Sequence, residues 1–270
     1  MKVQNQAMVS FSVTRYQKNE KLMEKSMNKL GTGLAISTAS DNAAGLAVSE
    51  TMRAQVRGLS QAQRNMQDGL SVLQAANEGL NNVNGLLQRG RELAVMSANG
   101  TMTDIDREAS QKELDQLMES INDTASKLEF NTKKILGENA PLVLMVGANP
   151  GQQINIDLMD TSTTALNLDN VSLMTRESAE ELIAKMDEAI KKTTGNLTKI
   201  GSYYEAVEHH MYNTLVHKSN ITSSLSKLTD TDIAKEMMNN VSLSIRQNSD
   251  KIMVSNVNQS VTEVLKLFGK

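Results

Sequence analysis

The hydrophobic positions divide the chain into a long helical stretch toward each end and a short β-like piece between them. Met52, Leu59, Met66, Leu73, Leu80 and Leu87 place one apolar residue at every seventh position. In the last third, Met186, Ile190, Thr193, Leu197, Ile200, Tyr204, Val207 and Met211 alternate in steps of four and three. A stripe that repeats every ~3.5 residues keeps one face of a helix against another helix along its length. Two such stripes, far apart in sequence and similar in length, predict a chain that runs out, turns and comes back as an antiparallel, coiled-coil-like helical rod.

Punctuation along the chain bounds the elements. The first thirty or so residues carry Val3, Met8, Phe11, Leu22, Met23, Met27 and Leu30 at weakly amphipathic spacing and break at Gly31-Thr32-Gly33. Ser40 and Asp41 supply side-chain oxygens for the free N–H groups of a first helical turn. One helix follows from about 42 to 98, ended by Asn99 and Gly100, and Asp104 starts another with Ile105, Leu114, Leu117, Met118, Ile121 and Leu128. Residues 142–146, then Ala148-Asn149-Pro150-Gly151, then 154–157 read as strand, turn and strand, because Pro fixes φ and Gly accepts a positive one. Ser178 opens the returning helix. Asp230-Thr231-Asp232 caps a last helix bearing Ile233, Met237, Val241, Ile245, Ile252, Val257, Val261, Val264 and Leu265. The expected fold is mainly α, with a small β-hairpin region at about 141–176.

Composition agrees with narrow helix–helix seams. Of 270 residues only 3% are aromatic, Trp is absent and Met reaches 17; aliphatic and Met side chains fill such seams without rings. The net charge is −3 with both signs interspersed, so no basic stripe offers itself to phosphates and nucleic acid is not an expected partner. Cys is absent, which excludes disulfides, thiolate metal sites and a Cys nucleophile. Residues 1–20 lack the continuous apolar stretch of a secretory signal, and no segment approaches a membrane span. The terminal stretches would be marginal as isolated helices in water. They either stay disordered in the monomer until neighbours bury them or pair with each other, and the sequence leaves both open.

Catalytic chemistry is not indicated. Gly31-Thr32-Gly33 lacks the third glycine of a dinucleotide fingerprint and follows no strand; it reads as a helix break. His209 and His210 are adjacent and point about 100° apart on a helix, with His217 further on and no HExxH spacing. Glu208 beside His209 reads as a solvated face. No enzyme activity, cofactor or metal is expected.

The block Ser40-Asp41-Asn42-Ala43-Ala44-Gly45-Leu46-Ala47-Val48-Ser49-Glu50, followed by Met52-Arg53-Ala54-Gln55-Val56-Arg57-Gly58-Leu59, closely resembles bacterial flagellin. So do QRNMQDG at 63–69, Leu87-Gln88-Arg89-Gly90-Arg91-Glu92-Leu93-Ala94, Phe130-Asn131-Thr132-Lys133-Lys134-Ile135-Leu136, and Thr231-Asp232-Ile233-Ala234-Lys235-Glu236-Met237. The resemblance implies a secreted, extracellular subunit, exported unfolded through the flagellar type III apparatus, that polymerises with itself into the filament used for swimming. It implies inner-core helices at 1–40 and 230–270 paired as one discontinuous domain, and a rod-like outer-core domain over 41–229 with little or no variable outer domain. Implied partners are other copies, an export chaperone, the filament cap and hook–filament junction proteins, and a host Toll-like receptor touched by Arg89, Leu93 and Glu113. Departures are visible. The start reads Lys2-Val3-Gln4-Asn5-Gln6 where the family has Arg-Ile-Asn-His-Asn, and Ala35, Ala206 and Thr229 stand where it carries arginines. Rival readings are a hook–filament junction protein and a monomeric helical adaptor.

Overall fold

A computed structural model describes residues 2–139 and 141–267, with side chains over 7, 9–139 and 141–256. The side chains of Val3, Met8, Val257, Val261, Val264 and Leu265 lie outside the described residues. Among the described residues, nine elements run in the order α1 (Lys2–Thr32), α2 (Ala39–Ser97), α3 (Asp104–Lys127), β1 (Glu129–Phe130), β2 (Lys133–Lys134), β3 (Pro141–Met145), β4 (Gln153–Asp157), α4 (Arg176–Thr229) and α5 (Ile233–Leu267). The chain forms two compact units, one of Gln55–Ser219 and one of Met1–Ala54 with Asn220–Lys270. These boundaries lie inside α2 and α4, whereas the sequence reading set them at the helix breaks near 40 and 230. Continuous helices leave no break in sequence to mark where packing partners change.

In the central unit two apolar clusters follow one another. Val83, Leu87 and Leu93 of α2, Leu114, Met118 and Ile121 of α3, and Leu182, Met186 and Ala189 of α4 make the first. Met66, Leu73, Ala76 and Leu80 of α2 meet Leu144 and Ile156 of the hairpin and Ile200 and Val207 of α4 in the second. Strands β3 and β4 pair antiparallel, Leu142 opposite Ile156 and Leu144 opposite Ile154. Close approach of this hairpin to α2 needs glycine: a Cβ on Gly58 would stand 2.8 Å from the Ala148 Cβ, and one on Gly69 2.6 Å from Leu144 Cδ2.

Three details differ from the sequence reading. The strands stop at Asp157, so the β region is shorter than 141–176; residues 158–175 are turns that bury Leu166, Leu168 and Leu173 against the helices. A second tiny hairpin, β1–β2, turns on Asn131 (φ 49°) and Thr132 (φ 68°); without a glycine this primed turn carries no strong signal. Ile105 is 79% exposed, because α3 buries the stripe through Arg107, Ser110, Leu114, Met118 and Ile121 and Ile105 lies off it.

Helix ends show which oxygens cap. Asn42 is extended (φ −163°, ψ 100°) and its Oδ1 accepts the Gly45 N–H at 2.9 Å, so Asn42 rather than Ser40 or Asp41 caps the main run of α2. Asp41 instead closes the turn before it, accepting the N–H groups of Ser37 and Thr38. The Thr38 hydroxyl above all holds its carboxyl below the usual range. At α3, Thr103 and Asp106 form a reciprocal capping box. At α4, Thr175 accepts the Ser178 N–H and Ser178 the Thr175 N–H. The buried Arg107 guanidinium donates to the carbonyl of Ser97, the last residue of α2, and to that of Asn99 in the turn beyond it, placing a cation at the C-terminal end of the helix.

Candidate assembly surface

The seam residues of the central unit are brought together as a heptad zipper. Leu87 clusters with Met186, Leu73 borders a groove with Ile200 and Tyr204, and Leu59 borders one with His210, Asn213 and Thr214. Each pairing lies two heptads back along α2 and two heptads forward along α4, which makes the helices antiparallel. Leu59, Met66, Leu73, Leu80 and Leu87 are buried, as are Met186, Ile200 and Val207; Ile190, Leu197, Tyr204 and Met211 are half-buried. Met52 is half-buried and belongs to the other unit. This seam is filled within one copy.

Arg89 and Glu113 sit on the solvent side of that unit. Arg89 Nε and Nη2 both donate to Glu113 Oε1 at 2.8 Å, and Nη1 to Glu92 Oε2 at 2.9 Å, which raises the guanidinium pKa further, Glu92 contributing most. Leu93 is 1% exposed inside the first cluster, beneath this face rather than on it. Arg91 reaches across to Asp187 on α4 at 2.6 Å. His209 lies 3.7 Å from Glu205 on an exposed helical face.

The terminal unit is built the other way round. Helices α1 and α5 pack along each other, yet the side chains they bury are largely polar. Among the described residues, those buried from α1 are Ser12, Asn19 and Ser26, one heptad apart, and from α5 Leu243 and Asp250. Asp250, with its side chain 2% exposed, accepts from Asn19 Nδ2 at 2.5 Å and pairs with Arg15 at 3.5 Å, and that guanidinium stands 5.8 Å from the Phe11 ring centroid. Glu236 is held below the usual carboxylate range, chiefly by the Ser26 hydroxyl, with Asn239 and the charges of Lys29 and Lys235 adding to it. Most of the large apolar residues described on these two helices face out. Met238, Val241, Ile245 and Ile252 form a heptad stripe on α5 that is 54–68% exposed, joined by Met237 and Met253, and Phe11, Leu22 and Met27 are exposed on α1. The sequence left open whether the terminal helices pair with each other or wait for neighbours; here they pair, and Ile233, Met237, Val241, Ile245 and Ile252 stay on the surface while Asn19–Asp250 lies in the seam.

Ala35 and Thr229, two of the positions where arginine is missing, are neighbours: the Ala35 N–H donates to the Thr229 carbonyl at 2.7 Å. The adjoining residues form the bridge Leu34–Asp230. Nothing in sequence spacing links them.

A filled helical seam in one unit and a helix pair with exposed apolar residues in the other, without a catalytic constellation among the described residues, have the character of a structural subunit. Comparison with known proteins gives the family. Residues 3–140 match the bacterial flagellin N-terminal helical region and residues 183–268 the bacterial flagellin C-terminal helical region. A flagellin of Halalkalibacterium halodurans is 38% identical over 248 residues, covering 91% of each chain. A flagellin of Bacillus subtilis is 32% identical over 292 residues, covering 95% of this chain and 96% of the relative. The crystal structure of Bacillus cereus flagellin superposes with a TM-score of 0.52 at 29% identity, over 56% of this chain and 88% of that one. A putative flagellar hook-associated protein from Vibrio parahaemolyticus shares the fold (TM-score 0.61, 14% identity, 70% of this chain and 100% of that one). The chain belongs to the bacterial flagellin family. It is accordingly a structural subunit of the flagellar filament, of the short type.

Proposed function

We propose that this subunit is secreted through the flagellar export apparatus and joins the extracellular filament by burying the outward apolar stripe of α5, with the exposed apolar residues of α1, against other copies. The inside-out terminal pair carries this reading. Covering a large aliphatic side chain that is more than half exposed contributes about 1–2 kcal/mol, and the stripe repeats this residue after residue. The contact is heterologous, stripe to a different surface, and a heterologous contact that does not close generates a filament. Isolated, the terminal pair has few apolar groups in its seam, which fits ends that order fully only on assembly. An export chaperone would cover the same stripe before assembly, and cap and hook–filament junction proteins would meet the subunit at the filament's two ends.

Seeded elongation tests it. Purified chain added to short filament seeds grows long filaments visible by electron microscopy, and residues 233–253 gain hydrogen-exchange protection on incorporation. Ile245→Asp puts a charge in the covered stripe and stops growth while central-unit unfolding is unchanged. Growth of Ile245→Asp at the wild-type rate would refute the assignment.

A second reading concerns Arg89 and Glu113, proposed to contact a host Toll-like receptor with Leu93 shaping the surface from beneath. What favours it is their exposure and fixed geometry, since each guanidinium edge is already oriented by Glu113 and Glu92. Arg89→Ala should then weaken receptor activation by the monomer and leave elongation intact; equal activation by the variant removes the site.

A further inference from the structure

The sequence holds two Asn-Gly pairs, Asn84-Gly85 inside α2 and Asn99-Gly100 in the turn that follows it. An Asn carboxamide can be attacked by the next residue's amide nitrogen, and glycine, having no side chain, hinders this least. The two settings differ sharply. In α2 the Gly85 amide belongs to the helical ladder, and Asn84 Oδ1 is buried. In the turn, Asn99 and Gly100 are both exposed, and the Gly100 N–H makes no hydrogen bond among the described residues. Apart from the adjoining residues, no atom lies within 4 Å of where a Cβ on Gly100 would stand. The Thr101 N–H donates to Asn99 Oδ1 at 3.3 Å, which folds the carboxamide forward over the peptide that would attack it. That same oxygen gains negative charge as nitrogen adds to Cγ, so the Thr101 amide is a donor placed where charge develops.

We propose that Asn99-Gly100 is a self-modification site at which the chain deamidates. The Gly100 nitrogen forms a bond to Asn99 Cγ and gives up its proton to solvent. The tetrahedral centre collapses, the Cγ–Nδ2 bond breaks, and the nitrogen leaves with a proton from water as ammonia. One water opens the resulting succinimide at either carbonyl, yielding aspartate or isoaspartate. The balance is one water taken up and one ammonia lost, with no oxidant, reductant or cofactor. Arg107 gives the product a partner. In isoaspartate the free carboxylate is the former main-chain carbonyl of Asn99, the oxygen that Arg107 Nη2 already holds at 3.2 Å, so the new charge forms opposite a positioned guanidinium. The join between α2 and α3 thereby acquires a negative charge with time while the seam residues stay as they are.

The test is incubation of the purified full chain at mildly alkaline pH, followed by peptide mass mapping and enzymatic methyl labelling of isoaspartate. In the folded chain the Asn99 peptide converts at least ~10-fold faster than the Asn84 peptide, because reaction at Asn84 waits on local opening of the helix. In denaturant the two rates approach each other. Gly100→Ala, which the open space accommodates, slows conversion at residue 99 by ~10-fold or more with unchanged circular dichroism. Equal rates at the two sites in the folded chain, or an unaltered rate in Gly100→Ala, would overturn the proposal.

Discussion

One methyl group added at two glycines of the same helix should change stability in opposite directions. At Gly85 a Cβ meets nothing within 4 Å, so Gly85→Ala gains helix propensity worth about 0.8–1 kcal/mol. At Gly58 the new Cβ stands 2.8 Å from the Ala148 Cβ and 3.4 Å from its Cα, whereas carbon pairs rest at ~3.5–4.0 Å. Ala148 has no rotamer to move aside, so the hairpin turn must back away from α2 by roughly an ångström or the helix must bend. Overpacking of this kind costs about 1–3 kcal/mol. Set against the same propensity gain, Gly58→Ala comes out destabilising by about 1 kcal/mol. Urea unfolding followed by far-ultraviolet circular dichroism measures both as shifts of the midpoint at constant slope. The clash is between two methyls, so Ala148→Gly in the Gly58→Ala background should recover most of the loss, a coupling of about 1 kcal/mol. If Gly58→Ala stabilises like Gly85→Ala, or if Ala148→Gly brings no recovery, the hairpin does not press on α2 as argued.

Other outcomes follow from the packing and the caps. Leu87→Ala removes a fully buried seam residue and should cost about 2–5 kcal/mol in the same unfolding assay; a loss below that range would mean the site collapses around the gap. Thr103→Ala breaks the capping box and should cost about 0.5–2 kcal/mol. The Thr103 hydroxyl also holds Asp106 below its ordinary value of 3.8. A depressed carboxylate contributes stability above its unfolded pKa and loses it as pH falls through the folded one. The wild-type advantage over Thr103→Ala should therefore be full at neutral pH and shrink in acid below about pH 4; an advantage that grows in acid contradicts the sign. Asp250→Ala leaves Asn19 without its acceptor and Arg15 without its partner, and filaments of this variant should dissociate at lower temperature than wild type, read by light scattering.

The heptad seam was legible because Leu59, Leu73, Leu87, Met186 and Ile200 obey one period and that period has one physical cause. The β3–β4 hairpin was legible through Asn149-Pro150-Gly151, whose turn chemistry is local; β1–β2 was not, since Asn131 and Thr132 adopt positive φ with no glycine to announce it. The cap of α2 was misplaced by one residue because Ser40, Asp41 and Asn42 all carry suitable oxygens, and only the extended backbone of Asn42 decides among them. The surface of α5 was left open for a deeper reason. Periodicity reports that apolar residues share a face, but not whether that face looks toward the same chain or another.

That ambiguity is where the assembly surface lies. A helix pair that buried Met238, Val241, Ile245 and Ile252 against α1 would be satisfied alone, and little would then be left for neighbours to cover. With Asn19 and Arg15 held on Asp250 in the seam, the pair gains modest stability from contacts that each offset a desolvation cost. The apolar stripe on the other side stays exposed, free for a second chain in the proposed assembly. Those polar contacts also set the register between α1 and α5, in the way that a buried polar position in a coiled coil fixes alignment at a cost in stability. Register matters because the outward stripe can match a repeating neighbour only if the two helices are held at one offset. In the proposed assembly, weak closure within the subunit and stronger closure between subunits would both come from the same placement of residues, apolar outside and polar within.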